Sequence, residues 1–154
     1  MKLQISTSLA LYSVLEFAAR SGNQVSTAEI AAKYEVSTHH LAKVLRELVR
    51  AGIIESTRGV GGGYRFRANA KRLTLMDVIE LFEDISARSG EPGASTDVGR
   101  ALGVVLTEID EIAKATFRSM TIDTMLKLIE RHSSGGAGKE RPARKRARGA
   151  RAGA

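Results

Sequence analysis

The chain has 154 residues, 24 lysines and arginines against 17 acidic residues for a net charge of +7, and no cysteine. That length suits one compact domain with an appendage, or a small domain pair, burying roughly 70% of the surface its unfolded chain exposes. The missing cysteines exclude disulfides, thiolate zinc sites, cysteine-ligated iron–sulfur clusters and a catalytic thiol.

In chain order, Leu9, Leu11, Tyr12, Val14, Leu15, Phe17 and Ala18 form a dense apolar run without Pro or Gly. The run is too long for a strand and ends at Ser21-Gly22-Asn23, which predicts a helix and a turn. Ser26-Thr27-Ala28-Glu29 has capping-box spacing and opens a short helix with Ile30 and Ala31 facing inward. After Glu35-Val36, Ser37 or Thr38 caps a further helix, whose Leu41, Val44, Leu45, Leu48 and Val49 recur every three or four residues. Gly52 is placed for a left-handed stop. Residues 53–57 read as a strand, 58–63 as a glycine-rich tip, and 64–67 as the returning strand. On that strand Tyr64 and Phe66 share one face, Arg65 and Arg67 the other.

Thr74-Leu75-Met76-Asp77 begins another helix, with apolar residues Val78, Ile79, Leu81, Phe82 and Ile85. Residues 86–96 read as a loop. A long helix from Asp97 to Ser119 follows, striped by Leu102, Val105, Leu106, Ile109, Ile112, Ala113, Thr116 and Phe117. Thr121 caps a short last helix carrying Ile122, Met125, Leu126 and Ile129. From Ser133 onward the composition cannot build a core and reads as disordered. The predicted fold is mainly α with a small β-hairpin wing: a winged helix-turn-helix over 1–73, dimerisation helices over 74–132, and a basic tail over 133–154.

The charge follows these divisions. Residues 1–73 hold 11 basic and 5 acidic residues, 74–138 hold 6 and 11, and 139–154 hold 7 and one. A basic first half beside an acidic second half points the first half at a polyanion. The tail is read either as a solvated end or as a source of sequence-independent phosphate contacts.

Three features touch on other chemistry, and their spacing excludes it. A phosphate-binding loop needs Gly-Lys-Ser/Thr after its spacer, or a helix next; after Gly59-Val60-Gly61-Gly62-Gly63 comes a strand, so the segment is a hairpin tip. His39 and His40 are adjacent, about 100° apart on a helix, and cannot chelate one metal together. No nucleophile–base–acid arrangement occurs, so no enzyme is expected, and no metal or cofactor site. No eighteen-residue apolar stretch occurs and Met1–Ser8 is too polar for a signal-peptide core, so a cytoplasmic protein without a membrane segment is expected. Thr38, His39, His40 and Lys43 lie off the apolar stripe at the start of a recognition helix. Arg58 sits at the tip, where glycines let backbone approach DNA closely.

From Leu3 to about Ile85 the sequence resembles the Rrf-two family of bacterial winged-helix transcription regulators. The resemblance rests on Ser26-Thr27-Ala28-Glu29-Ile30-Ala31, on residues 36–45, on Leu73-Thr74-Leu75-Met76-Asp77-Val78-Ile79, and above all on the wing signature Arg58-Gly59-Val60-Gly61-Gly62-Gly63-Tyr64. It implies a homodimer on inverted-repeat double-stranded DNA, with recognition helices in major grooves and wings at the minor groove. Ser37, Thr38, His39 and Lys43 would face the major groove, and Arg58 would enter the minor groove. With His40, Gly59, Gly61, Gly62 and Arg65 these complete the expected DNA-binding set. Cluster-binding members carry three cysteines in the loop that is 86–96 here, where this chain has Ser86, Ser89 and Ser95. Ala42 replaces a base-reading acid of some members, so their target motif does not transfer. The expected function is a sequence-specific regulator, a repressor by analogy, without an iron–sulfur cluster and with an unknown effector. The alternative is a protein-interaction or small-ligand-sensing module using the winged helix as scaffold.

Overall fold

A computed structural model describes residues 2–85 and 93–136. Helix α1 (Ile5–Ala19) is the centre of the fold, with Leu9, Ala10, Val14, Phe17 and Ala18 buried. Apolar residues on several sides suit a helix packed by neighbours all round, and the helices Thr38–Arg50, Leu75–Ile79 and Ile122–Gly136 and the strand Gly63–Phe66 all lie against it. Helix α2 (Thr27–Lys33) starts at Ser26, whose hydroxyl accepts from the Glu29 N–H at 3.2 Å. The expected capping box is only half formed, because the Glu29 carboxylate is turned to the Arg20 guanidinium.

The link from α2 to α3 (Thr38–Arg50) is a Schellman turn: Val36 N–H donates to Ala31 carbonyl at 3.0 Å and Glu35 N–H to Ala32. Glu35 holds φ 54° there, a left-handed position more often given to glycine. The same closure ends α3, with Gly52 at φ 72° and Ile53 N–H donating to Leu48 carbonyl. Ser37, rather than Thr38, is the cap of α3, its hydroxyl accepting from the His40 N–H at 3.1 Å.

Strands β1 (Ile54–Thr57) and β2 (Gly63–Phe66) pair antiparallel, Glu55 opposite Arg65 and Ser56 opposite Tyr64. Val25 adds a third rung through two 2.9 Å bonds with Tyr64. That rung explains the last wing glycine: a Cβ on Gly63 would lie 2.7 Å from the Val25 carbonyl oxygen.

Helix α4 (Leu75–Ile79) has the full capping box, Thr74 and Asp77 each bonded to the other's backbone N–H. It is shorter than its apolar pattern implies. Leu81, Phe82 and Ile85 lie beyond it, with Phe82 and Ile85 still packed on the core. The core runs from α1 through α4 to Ile122, which is fully buried. Backbone bonds from Leu75 to Met120 and from Ile122 to Leu73, each 2.9 Å, tie α6 (Ile122–Gly136) to the start of α4.

Helix α5 (Asp97–Ser119) begins at Thr96, which accepts from Gly99 N–H, and matches its predicted limits. Helix α6 is longer than expected: Ser133 and Ser134 continue it, their hydroxyls donating to the carbonyls of Ile129 and Glu130. The helix runs on through 133–136, past the point at which the sequence reading starts disorder, with the Ser133 and Ser134 hydroxyls turned back onto the preceding turn. The rest of the tail and residues 86–92 of the expected loop lie outside the described residues.

Candidate nucleic-acid interface

The surface of interest is built by α3 and the hairpin. Burying Leu41, Val44, Leu45 and Leu48 against α1 and α2 fixes which face of α3 stays in water. On that face Thr38, His39, Lys43 and Arg46 are exposed. The hydroxyl of Ser37 is committed to capping, which pins the first turn and leaves its neighbours to point outward.

His40 behaves differently from His39. Its ring is half-buried, and its Nε2 is enclosed without a hydrogen-bond partner. With Ser6 and Phe82 it lines one cavity.

At the hairpin Arg58 is exposed and makes no ion pair among the described residues. Gly59 and Gly61 take φ 105° and 77°, conformations costly for any residue with a Cβ. A Cβ on Gly62 would fall 2.4 Å from the Thr57 carbonyl oxygen. The tip is thus shaped by backbone alone, leaving Arg58 as its one long side chain apart from Val60. Arg65 is not free: it pairs with Glu55, its cross-strand neighbour. Arg46 and Arg67 extend the sequence-derived set, exposed and without an ion pair among the described residues. Arg67 could be read from its strand alternation, Arg46 from its place one turn after Lys43.

A polar cluster holds α2 against α1 and so sets how α3 is presented. The Glu16 carboxylate accepts from Lys33 and, at 2.7 Å, from the Tyr34 hydroxyl, with Arg20 at 3.5 Å. Burial pushes this carboxyl up, but the bonds from Lys33 and Tyr34 and the charges of Lys33 and Arg20 outweigh it and hold it below the usual value. Tyr34 is pushed up by burial and by the Glu16 carboxylate it donates to. Its ring stacks on Tyr12, centroids 4.8 Å apart.

A helix-turn-helix followed by a glycine-tipped hairpin defines a winged-helix protein of the DNA-binding kind. The Rrf2 family model, described as an iron-dependent transcriptional regulator, matches residues 3–128, and the chain belongs to that family. It is 54% identical over 131 residues to a Rhodopseudomonas palustris protein named as the HTH-type transcriptional regulator BadM, covering 84% of each chain. Against the HTH-type transcriptional regulator IscR of Cereibacter sphaeroides it is 32% identical over 111 residues, 70% of this chain and 72% of that one. The solved structure of CymR, the global cysteine regulator of B. subtilis, shares the fold with TM-score 0.67 and 24% identity, over 83% of this chain and 98% of that one. The relatives are named as regulators, not as enzymes, and among the described residues no helix is long and apolar enough to cross a membrane.

The family description raises iron, and the donor set does not fit a cysteine-ligated cluster. The chain has no thiol, and serine hydroxyls do not replace thiolates on iron and sulfide. Ser86 and Ser89 lie outside the described residues, while Ser95 accepts through its carbonyl from Arg100. Among the described residues no three His, Asp or Glu side chains gather as a metal site.

Proposed function

We propose that the protein is a homodimeric repressor that binds an inverted repeat through α3 and the wing, without a thiolate cluster. The carrying observation is the surface just described: uncompensated Lys43, Arg46, Arg58 and Arg67 on adjacent elements, beside a capped helix start. Thr38, His39 and Lys43 read the major groove with Ser37 holding the first turn; Arg58 enters the minor groove over Gly59, Gly61 and Gly62. Arg65, drawn toward Glu55, contributes a phosphate contact.

Dimerisation is assigned to α5. Val98, Leu102, Val105, Ile109 and Ile112 follow alternating four- and three-residue steps and are 54–78% exposed. That spacing is a coiled-coil seam, and a second copy of the same helix is the partner that completes it. The division of labour is a DNA-reading unit over 1–73 and a pairing unit over 74–132. Two recognition helices then meet grooves about 34 Å apart, one turn of the duplex.

Selection of the full-length protein against random duplexes, followed by footprinting, tests this. A palindromic site protected by a dimer is expected. Enrichment of no sequence, alongside a stable protein complex in pull-down, overturns it in favour of an interaction module.

A further inference from the structure

The half-burial of His40 is unexplained by DNA contact. Its ring borders a cavity of about 390 Å³ that α1, α3 and the segment after α4 form together. Ser6 comes from α1; His40, Lys43, Val44, Arg46 and Glu47 from α3; Phe82 from the segment after α4. The cavity therefore touches three parts of the fold at once, one of them the recognition helix.

Its chemistry is lopsided. Glu47 is drawn to Arg50 at 3.2 Å, whereas Lys43 and Arg46 have no anionic partner among the described residues. The Ser6 hydroxyl can donate, and the enclosed Nε2 of His40 lacks a partner, a costly state for a polar atom out of water. Val44 and Phe82 add apolar wall. Cationic and donor groups together with aliphatic and aromatic lining suit a small organic anion.

The segment that supplies Phe82 is anchored at both ends. The Gln4 N–H donates to the Glu83 carboxylate at 3.0 Å, and Arg118 at the end of α5 donates to Glu80 at 3.4 Å. A body placed between Phe82 and α3 presses on a strap joined to the start of α1 and to the pairing helix.

We propose that this cavity is an effector site for a small oxyanion, its acid group held by Lys43 and Ser6 beside the His40 ring, whose binding weakens operator binding. Two effects act in one direction: Lys43 is neutralised toward the phosphates, and α3 shifts against the strap. The inference rests on the DNA-binding reading above and assigns its regulation.

The test uses full-length protein with three probes: inorganic phosphate, butyrate and phenylacetate, each against sodium chloride at matched ionic strength. Side-chain resonances of His40 should shift saturably with at least one probe while those of His39 and His132 stay still. Response to phosphate alone marks a phosphate-type ligand; response to the carboxylates marks a carboxylic acid, with phenylacetate preferred if Phe82 is its wall. The same probe should weaken affinity for the selected operator by about fivefold or more. Ser6→Ala should bind operator as the parent does and lose that response, and His40→Leu should lose the response whatever its own operator affinity. Immobile His40 resonances with all three probes, or equal probe sensitivity in both variants, overturns the site. Operator binding without a His40 response leaves the DNA reading standing, while a His40 response without any selected DNA site sinks that reading instead.

Discussion

Among the first five elements Phe17, Ile30, Leu41, Leu45, Leu48 and Ile54 are enclosed to below 2% exposure, while α5 buries none of its 23 residues. Both regions are rich in aliphatic side chains, so composition does not distinguish them. The difference lies in who covers the apolar face. In the winged helix, short elements from the same chain wrap α1. In α5 the face at Val98, Leu102, Val105, Ile109 and Ile112 meets solvent in the isolated chain. A helix of that length is marginal in water on propensity alone, and its stability comes from packing an amphipathic face. The first region is complete in one copy; the second is the face that the proposed dimer covers.

The sharpest way to break this comparison is to damage each region and read both. Phe17→Ala empties the centre of the winged helix and should cost about 3–5 kcal/mol in denaturant unfolding. If it costs as little as a surface change, α1 is not the hub of the core. Ile109→Asp places a charge in the α5 seam. Sedimentation should find a monomer whose winged helix remains folded, with operator affinity lowered about 100-fold as the second half-site contact is lost. A variant that stays dimeric moves the interface elsewhere.

Arg58→Ala sharpens the functional side of the same contrast. It lies on an exposed tip, so dimer mass and unfolding midpoint should not move. Affinity should fall about tenfold, the scale of one lost charged groove contact. Unchanged binding would leave the wing as a structural hairpin and shift the load to Lys43 and Arg46.

Local patterns in the sequence carried most of the fold. The long helix from Asp97 to Ser119, the Ser37 cap and the Gly52 stop are each set by neighbours within a few residues, and each reads directly from residue type. The failures share a cause at longer range. Glu29 was spaced to close a capping box, but Arg20, nine residues away, competes for its carboxylate. The α4 pattern continues apolar to Ile85 while the helix stops at Ile79, because Phe82 and Ile85 pack on the core without helical geometry. His40 shared the exposed reading of His39, yet its ring is half-buried and borders a cavity with Ser6 and with Phe82, forty-two positions on. No local period records that meeting. The wing was legible as a glycine-tipped hairpin, while the contacts its glycines answer to, within the hairpin and at the Val25 bridge, emerge only in the structure.

The smallest expected effect concerns how α2 and α3 are held in place, and it is read by pH. Glu16 is charged and hydrogen-bonded in the folded protein, with its carboxyl held below its ordinary value of 4.5 by Lys33, Tyr34 and Arg20 despite the opposing push of burial. A carboxyl lowered by folding stabilises the native state once pH is above its unfolded value. That contribution is lost as pH falls from there through the lower folded value. Glu16→Gln keeps the shape but gives up the charge, and should cost about 1 kcal/mol at neutral pH. The parent and the variant should therefore converge in stability as the solution is acidified below the ordinary carboxylate range. Parallel curves across that range would mean that Lys33, half exposed to water, pairs with Glu16 too weakly to matter. In that case the Tyr12–Tyr34 stack, not the ion pair, is what seats α2 on α1, and Tyr34→Leu rather than Glu16→Gln should loosen the recognition helix.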